Sequence, residues 1–495
     1  MAFNMSSAKD WAKKEFRSVD LGDKRLNRRL ILTVGGIADA PRNSIPSALD
    51  GWKETQGAYR LFNNKKVTPE RVLKPHTEST LDRVAKESVV LIAQDTTELD
   101  YTKKADKNRD VGPLNYRKRV GFLLHPCVAV TPEGVNLGIV GAKLWARDPK
   151  HFGQGAERKK RPFEDKESVR WRDGYLRSCN VAEACPNTTV INVGDRESDI
   201  YEYFAEAYAD PPENCRYIVR VARNRNLTET EQDLETGKCV YVKMRDRMEE
   251  QPVLEEVTIN VPKRGSRDAR ETVLEIRATT LELKPPCRRG RRLPQVEVRV
   301  VWAREKNPPA DEKEPIDWML STDMPISTTD EVRRVLQFYT RRWQIEVFFR
   351  VLKSACLVEE LEFHSIDTFG PCLMAYMIVA WRILNLMMLG RECPDLPCHV
   401  VLTESEWKAA WQINKKEPPP QTPPRLGTMI KIIASLGGHL GRKCDGLPGP
   451  KSIWIGLQRT ADFAIAWDVF GPKTDNNLTD THTHHDENQP ARSCG

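Results

Sequence analysis

Ser88-Val-Val-Leu-Ile-Ala-Gln-Asp95 is a short apolar run that closes on an acid. A run of this length without polar alternation is what a central strand covered on both faces requires. Thr188-Thr-Val-Ile-Asn-Val-Gly-Asp195 repeats the pattern a hundred residues on. Between the two, Val120–Val130 and Val135–Lys143 flank Thr131-Pro-Glu-Gly and read as a hairpin, and Lys166–Arg177 reads as a helix. Ser198–Tyr208 follows as a helix and Arg216–Val221 as another strand. The order is strand, hairpin, helix, strand, helix, strand, with a long helix near 338–353 to come. This predicts an α/β fold, a ribonuclease-H-like mixed sheet with helices on its faces.

Outward from that core the patterns change. Residues 1–75 read as short basic helices. In Asp20-Leu-Gly-Asp-Lys-Arg-Leu-Asn-Arg-Arg-Leu, Asp20 or Asp23 can cap a helix that exposes Arg25, Arg28 and Arg29. A second helix is expected over Asp50–Asn63. Such a unit suits either a DNA-end-binding domain or a plain helical cap on its neighbour. The catalytic core is placed at 76–364, interrupted at about 225–315 by alternating strands such as Glu256-Val-Thr-Ile-Asn-Val and Val296-Glu-Val-Arg-Val-Val-Trp. This β-rich insertion precedes a catalytic helix at about 329–356. A helical region at 365–471 and a disordered tail at 472–495, carrying a His-Thr-His-His run, complete the chain.

The 495 residues hold 77 basic against 70 acidic side chains, and a net charge of +7 does not by itself imply nucleic-acid binding. The basic residues are clustered, in Asn115-Tyr-Arg-Lys-Arg, Arg158-Lys-Lys-Arg and Cys287-Arg-Arg-Gly-Arg-Arg, although a solvated loop is the ordinary reading of any one run. Twelve scattered cysteines follow no metal or disulfide spacing and are expected to be reduced thiols of a cytoplasmic protein. The apolar stretch Cys372–Leu389 contains Arg382 and Asn385. It is read as a buried or dimer-interface helix rather than a membrane span.

Phe338–Lys353 carries the chemistry. Tyr339, Arg342, Glu346 and Lys353 are separated by three, four and seven residues, which places them within about 60° of one helix face. Most of the remaining residues are apolar, Trp343 among them, so the helix is expected to be buried with a charged stripe facing something charged. Asp95 and Asp195, at the ends of their strands, would lie beside Glu346. Three gathered carboxylates repel one another, and Mg²⁺, a hard ion that prefers carboxylate oxygens and substrate phosphate, removes the conflict. Two such ions per site can drive in-line displacement at phosphorus, and Mn²⁺ can substitute. Asp95 would bridge both ions, and Asp195 and Glu346 would each hold mainly one.

The stripe, written Y-x2-R-x3-E-x6-K, resembles the signature of the bacterial DDE transposases of the insertion-sequence-four family, best known from the cut-and-paste transposase of transposon Tn-five. Asp95-Thr-Thr-Glu-Leu-Asp-Tyr and Gly194-Asp-Arg-Glu-Ser-Asp-Ile-Tyr resemble that family's two aspartate motifs. Asp10-Trp-Ala-Lys, Leu21-Gly-Asp, Gly57-Ala-Tyr-Arg and Ser435-Leu-Gly-Gly extend the likeness over nearly the whole chain. The resemblance implies that Tyr339, Arg342 and Lys353 contact phosphates and the displaced base near the cleaved end. It implies that Trp318, in Ile316-Asp-Trp-Met-Leu, stacks on a flipped base, and that Arg220 contacts DNA. It further implies nicking, hairpin formation, hairpin opening and joining of the 3′-hydroxyl to target DNA. The implied partners are the terminal inverted repeats, target duplex and a second copy in a synaptic complex, with the helical region 365–471, including Cys372–Leu389, supplying much of the dimer contact. Two other readings stand beside it. One is a metal-dependent nuclease that does not join ends, and the other is a non-catalytic DNA-binding regulator or inhibitor of transposition.

Overall fold

The computed structural model describes residues 7–49, 51–108, 110–116, 118–153, 161–232, 238–261, 269–288, 292–309, 312, 314–442 and 445–472. The strands are β1 (Val89–Gln94), β2 (Thr97–Asp100), β3 (Gly112–Pro113), β4 (Val120–Val130), β5 (Asn136–Trp145), β6 (Thr189–Gly194) and β7 (Cys215–Arg220). The insertion adds β8 (Asn226–Gln232), β9 (Cys239–Lys243), β10 (Glu255–Val261), β11 (Arg270–Leu283) and β12 (Val296–Glu305), and β13 (Asp317–Thr322) follows it. β5 pairs with β4, β4 with β1, β1 with β6, and β6 with β7. Within that set β4 runs antiparallel to both β1 and β5, and β1, β6 and β7 are mutually parallel. This is the expected ribonuclease-H-like core.

β1 sits at the centre because its side chains leave on both faces. Val90 and Ile92 pack with Trp171 and Tyr203, while Ala93 packs with Phe348 and Leu91 with Phe338. The insertion is not a separate body. β13 runs antiparallel to β7 with Leu320 opposite Arg220, so the core sheet continues through β12 and β11 to β8 and β9. Trp318 and Arg220 are thereby carried on neighbouring strands.

Helices precede and follow this sheet. The helix Lys24–Asp39 starts at Asp23, whose carboxylate accepts the Arg25 amide hydrogen bond. Arg28 is exposed, whereas Arg25 pairs with Asp23 and Arg29 with Glu54. Asp50 lies outside the described residues, and the helix beyond it covers Trp52–Phe62. The apolar helix Ile366–Glu392 is buried on all sides, and 83% of its most apolar window lies inside the protein. Its length and hydropathy therefore serve a protein core. Of the two readings of this stretch, burial is what the packing shows, since most of its side chains pack within their own chain.

The expected single helix over Phe338–Lys353 is also corrected. Thr329–Arg341 and Gln344–Ser354 are separate helices. Across the junction the amides of Arg342, Trp343, Ile345 and Glu346 each bond to the carbonyl three residues back. This tight turn overwinds the chain, stacking Arg342 over Tyr339 and turning Trp343 outward to 51% exposure. The first helix begins with a capping box in which the Thr328 hydroxyl accepts the Glu331 amide and the Glu331 carboxylate accepts the Thr328 amide. Thr328→Ala should lower stability by about 1 kcal/mol in urea unfolding.

The ten described cysteines are free thiols. Of the basic runs, Arg288 pairs with Glu202 and Arg119 with Glu98 and Asp100. Arg117, 158–160, 289–291 and the tail from 473 lie outside the described residues.

Candidate active site

Asp95 and Thr96 form a two-residue break between β1 and β2. Gln94 faces Cys127 and Thr97 faces Leu124, so β1 and β2 run along β4 in one unbroken register. That register sets Asp95 across from Pro126 and Thr96 across from His125. Proline offers no N–H to a ladder, so the pairing lapses where Asp95 leaves the sheet. In the parallel neighbour, Ala93 aligns with Val193, which brings Asp195 alongside Asp95 two residues later. The 3₁₀ turn Arg196–Ser198 begins there, and the Asp195 carboxylate accepts the Glu197 amide at 2.8 Å.

Glu346 reaches the same edge from the helix Gln344–Ser354. One guanidinium joins the elements, with Arg342 Nη1 donating to Asp95 Oδ2 at 2.8 Å and Nη2 to Glu346 Oε1 at 3.1 Å. The second Asp95 oxygen accepts the Thr96 amide at 2.7 Å. Burial, followed by the charge of Asp195, pushes the Asp95 carboxyl up to about 7, with Arg342 opposing and Glu346 reinforcing. Even with Arg342 present, the cluster therefore retains an excess of negative charge.

The flanking residues fall into two sets. Tyr339 is buried edge-on against Trp318 with ring centroids 5.8 Å apart, beside Arg342. Arg220 donates to the Asp317 carbonyl at 3.2 Å, next to Trp318. Lys353 lies elsewhere in the stripe, bonded to the Glu98 carbonyl and 3.6 Å from Glu359. Among the described residues no group of three or more His, Cys, Asp and Glu side chains converges closely enough to hold an ion. The Asp95 and Glu346 oxygens turn toward the Arg342 guanidinium. The donor set itself fits Mg²⁺, being all carboxylate, partly buried and over-charged. Sequence reading missed Thr96, which hydrogen-bonds to His125 and Arg170 beside Asp95, and Pro126 across from it. A proline inside an otherwise central strand was the available signal for that neighbourhood.

Comparison with known families bears on the same elements. Residues 8–67 match a transposase DNA-binding family, 202–370 a transposase DDE domain, and 378–468 a Tn5 transposase dimerisation domain. Their order along one chain decides the assignment. The chain belongs to the Tn5-type DDE transposases. Its architecture is that of a cut-and-paste enzyme whose catalysis is metal-dependent and whose partners are DNA and a second copy of itself. The DDE match includes Glu346 and begins after Asp195, so the two aspartates rest on register and geometry. A solved piggyBac transposase synaptic complex with hairpin DNA aligns over 96% of this transposase and 81% of its own chain. Its 9% identity and TM-score of 0.35 make it too distant to argue from.

Proposed function

We propose that this transposase binds the terminal inverted repeats of its element, cleaves them through a hairpin, and joins the freed 3′-hydroxyls to target DNA. Asp95, Asp195 and Glu346 are the residues that would hold a pair of Mg²⁺ ions. When bound, these ions supply activation of the attacking oxygen and neutralisation of the leaving one. The observation that carries this reading is the Arg342 guanidinium shared by Asp95 and Glu346, which ties the strand and the helix into one charged centre.

The chain's own groups do the remaining work. Arg342, held between Asp95 and Glu346, would offer its guanidinium to a DNA phosphate at the same edge, a bidentate contact that orients the scissile bond. Tyr339 and Trp318 form an aromatic wall beside it, and an indole face can receive a base turned out of the duplex. Arg220 and Lys353 extend the cationic border on either side. In the synaptic dimer, the surface for the second copy is the last helix, Pro450–Phe470, where Ile465, Val469 and Phe470 are 62%, 63% and 86% exposed.

The test uses purified protein, Mg²⁺ and duplexes carrying the repeats that flank its own gene. Hairpin ends and end-to-target joined products are expected. Hydrolysis without joined products would replace this reading with a nuclease, and specific binding without cutting of intact or pre-nicked ends would replace it with a DNA-binding regulator.

A further inference from the structure

Beneath the two aspartates lies a hydrogen-bonded chain of buried side chains with no evident role in packing alone. Arg170, on the helix Val169–Ala184, donates from Nε to the Thr96 hydroxyl at 2.8 Å. Thr96 lies 2.9 Å from His125 Nδ1, and His125 Nε2 lies 3.0 Å from the Gln94 side-chain oxygen. The Gln94 amide then donates to Asn192 Oδ1 at 2.6 Å, and Asn192 donates to the Ser178 hydroxyl at 2.7 Å. Every donor meets an acceptor in one direction if His125 is neutral with its proton on Nε2. Burial and the nearby Arg170 hold that imidazole well below its usual value, in agreement. Gly174 leaves room for this chain, since a Cβ there would stand 1.9 Å from the Gln94 oxygen.

The chain connects both catalytic strands at their ends. Gln94 and Thr96 bracket Asp95, and Asn192 precedes Asp195 on β6. Arg170 closes the circuit from above, because its Nη2 donates to the Glu197 carboxylate while Nη1 donates to the Glu167 carbonyl, and the Glu197 amide donates to Asp195. The guanidinium is only 8% exposed and lies over the rings of Trp145 and Trp171, so it has little freedom to move. A buried arginine that spends separate donors on the neighbours of two carboxylates fixes their spacing.

We propose that Arg170, acting through Thr96 and Glu197 and backed by His125, is a positioning residue that sets the separation of Asp95 and Asp195 for metal binding. This rests on the reading of Asp95 and Asp195 as metal ligands. Groups that orient metal ligands typically change affinity by about 10–100-fold when removed.

The test compares Arg170→Gln, Thr96→Val, Thr96→Ser and Asp95→Asn in the full chain. Mn²⁺ binding is followed by its electron paramagnetic resonance signal, together with thermal melting and end-duplex binding. Thr96→Val keeps shape and the backbone contact to Asp95 but loses the hydroxyl, so it remains informative if Arg170→Gln does not fold. Both should weaken Mn²⁺ binding about tenfold and shift the metal dependence of cleavage to higher concentration, with DNA binding retained. Thr96→Ser should behave as wild type. Unchanged Mn²⁺ affinity in folded Thr96→Val, with Asp95→Asn abolishing binding, overturns the positioning role alone. Unchanged Mn²⁺ affinity in Asp95→Asn overturns the underlying site assignment.

Discussion

Asp95→Asn and Glu346→Gln proteins should bind end duplex at least as tightly as wild type and cleave it about 10³-fold or more slowly, because metal-assisted charge stabilisation is worth several kcal/mol. Each change removes a carboxylate from the centre in which burial and the charge of Asp195 already work against ionisation of Asp95. Less negative charge beside a DNA phosphate favours binding, so affinity and rate separate. Single-turnover cleavage and a binding titration in Ca²⁺ measure the two independently. Cleavage within tenfold of wild type for either variant would remove these residues from the catalytic centre.

The same carboxyl makes a prediction about stability without metal. The Asp95 pKa rises from 3.8 unfolded to about 7 folded. The folded state therefore holds a proton that the unfolded state has released, and stability falls as pH rises between those values. Metal-free Asp95→Asn should melt above metal-free wild type at pH 8, with the gap closing toward pH 4. Mg²⁺ or Mn²⁺ should raise the wild-type melting temperature at pH 8 and leave the variant nearly unchanged.

Local patterns were sufficient for the sheet and for the charged centre. An apolar run covered on both faces has one reading, so β1 and β6 and the acids at their ends were legible, as were the hairpin and the insertion strands. Non-local effects were not legible. The overwound turn at Arg342 depends on how two helices pack against β1, and helical periodicity alone assigns one straight rod. That β2 resumes beyond Asp95 in the register of β1 depends on β4, and only Pro126 marks the break between them. Lys353 shares a helical face with Glu346 but answers to Glu98 and Glu359, which arrive from other segments. The polar chain beneath the aspartates was invisible for the same reason, since Thr96, His125 and Arg170 meet only after folding. Hydropathy likewise could not say whether the helix Ile366–Glu392 meets its own chain or a second copy.

Glu15→Ala should cost about 2–3 kcal/mol of stability, the expected result of stripping the partner from a largely buried charge. Glu15 ends the helix Ser7–Glu15 and is 4% exposed. Its carboxylate accepts from Arg83 at 2.9 and 3.0 Å and from His76 Nδ1 at 2.6 Å. His76 Nε2 accepts the Ile139 amide, which leaves the single ring proton on Nδ1 and the ring neutral. Arg83 also donates to the Leu137 carbonyl and lies 4.4 Å from the Trp381 ring centre. One acid thus fastens the amino-terminal helix to Pro69–Val84, β5 and the buried helix Ile366–Glu392. Burial opposes ionisation of Glu15, but the His76 and Arg83 contacts prevail and hold its carboxyl well below the usual range. Burial likewise holds His76 below its usual value. Both shifts act in one direction. The unfolded chain takes up protons at His76 below about 6.5 and at Glu15 below about 4.5 that the folded chain refuses, so stability falls as pH drops through those values. Wild type should lose melting temperature steadily from pH 7 to pH 4, and Glu15→Ala should start lower and fall less. Since residues 8–67 match the DNA-binding family, loosening of this helix should reduce end binding before it reduces metal affinity at Asp95. A Glu15→Ala melting temperature within a degree of wild type at pH 7 would show that the Arg83 contacts to Leu137 and Trp381 suffice without the acid.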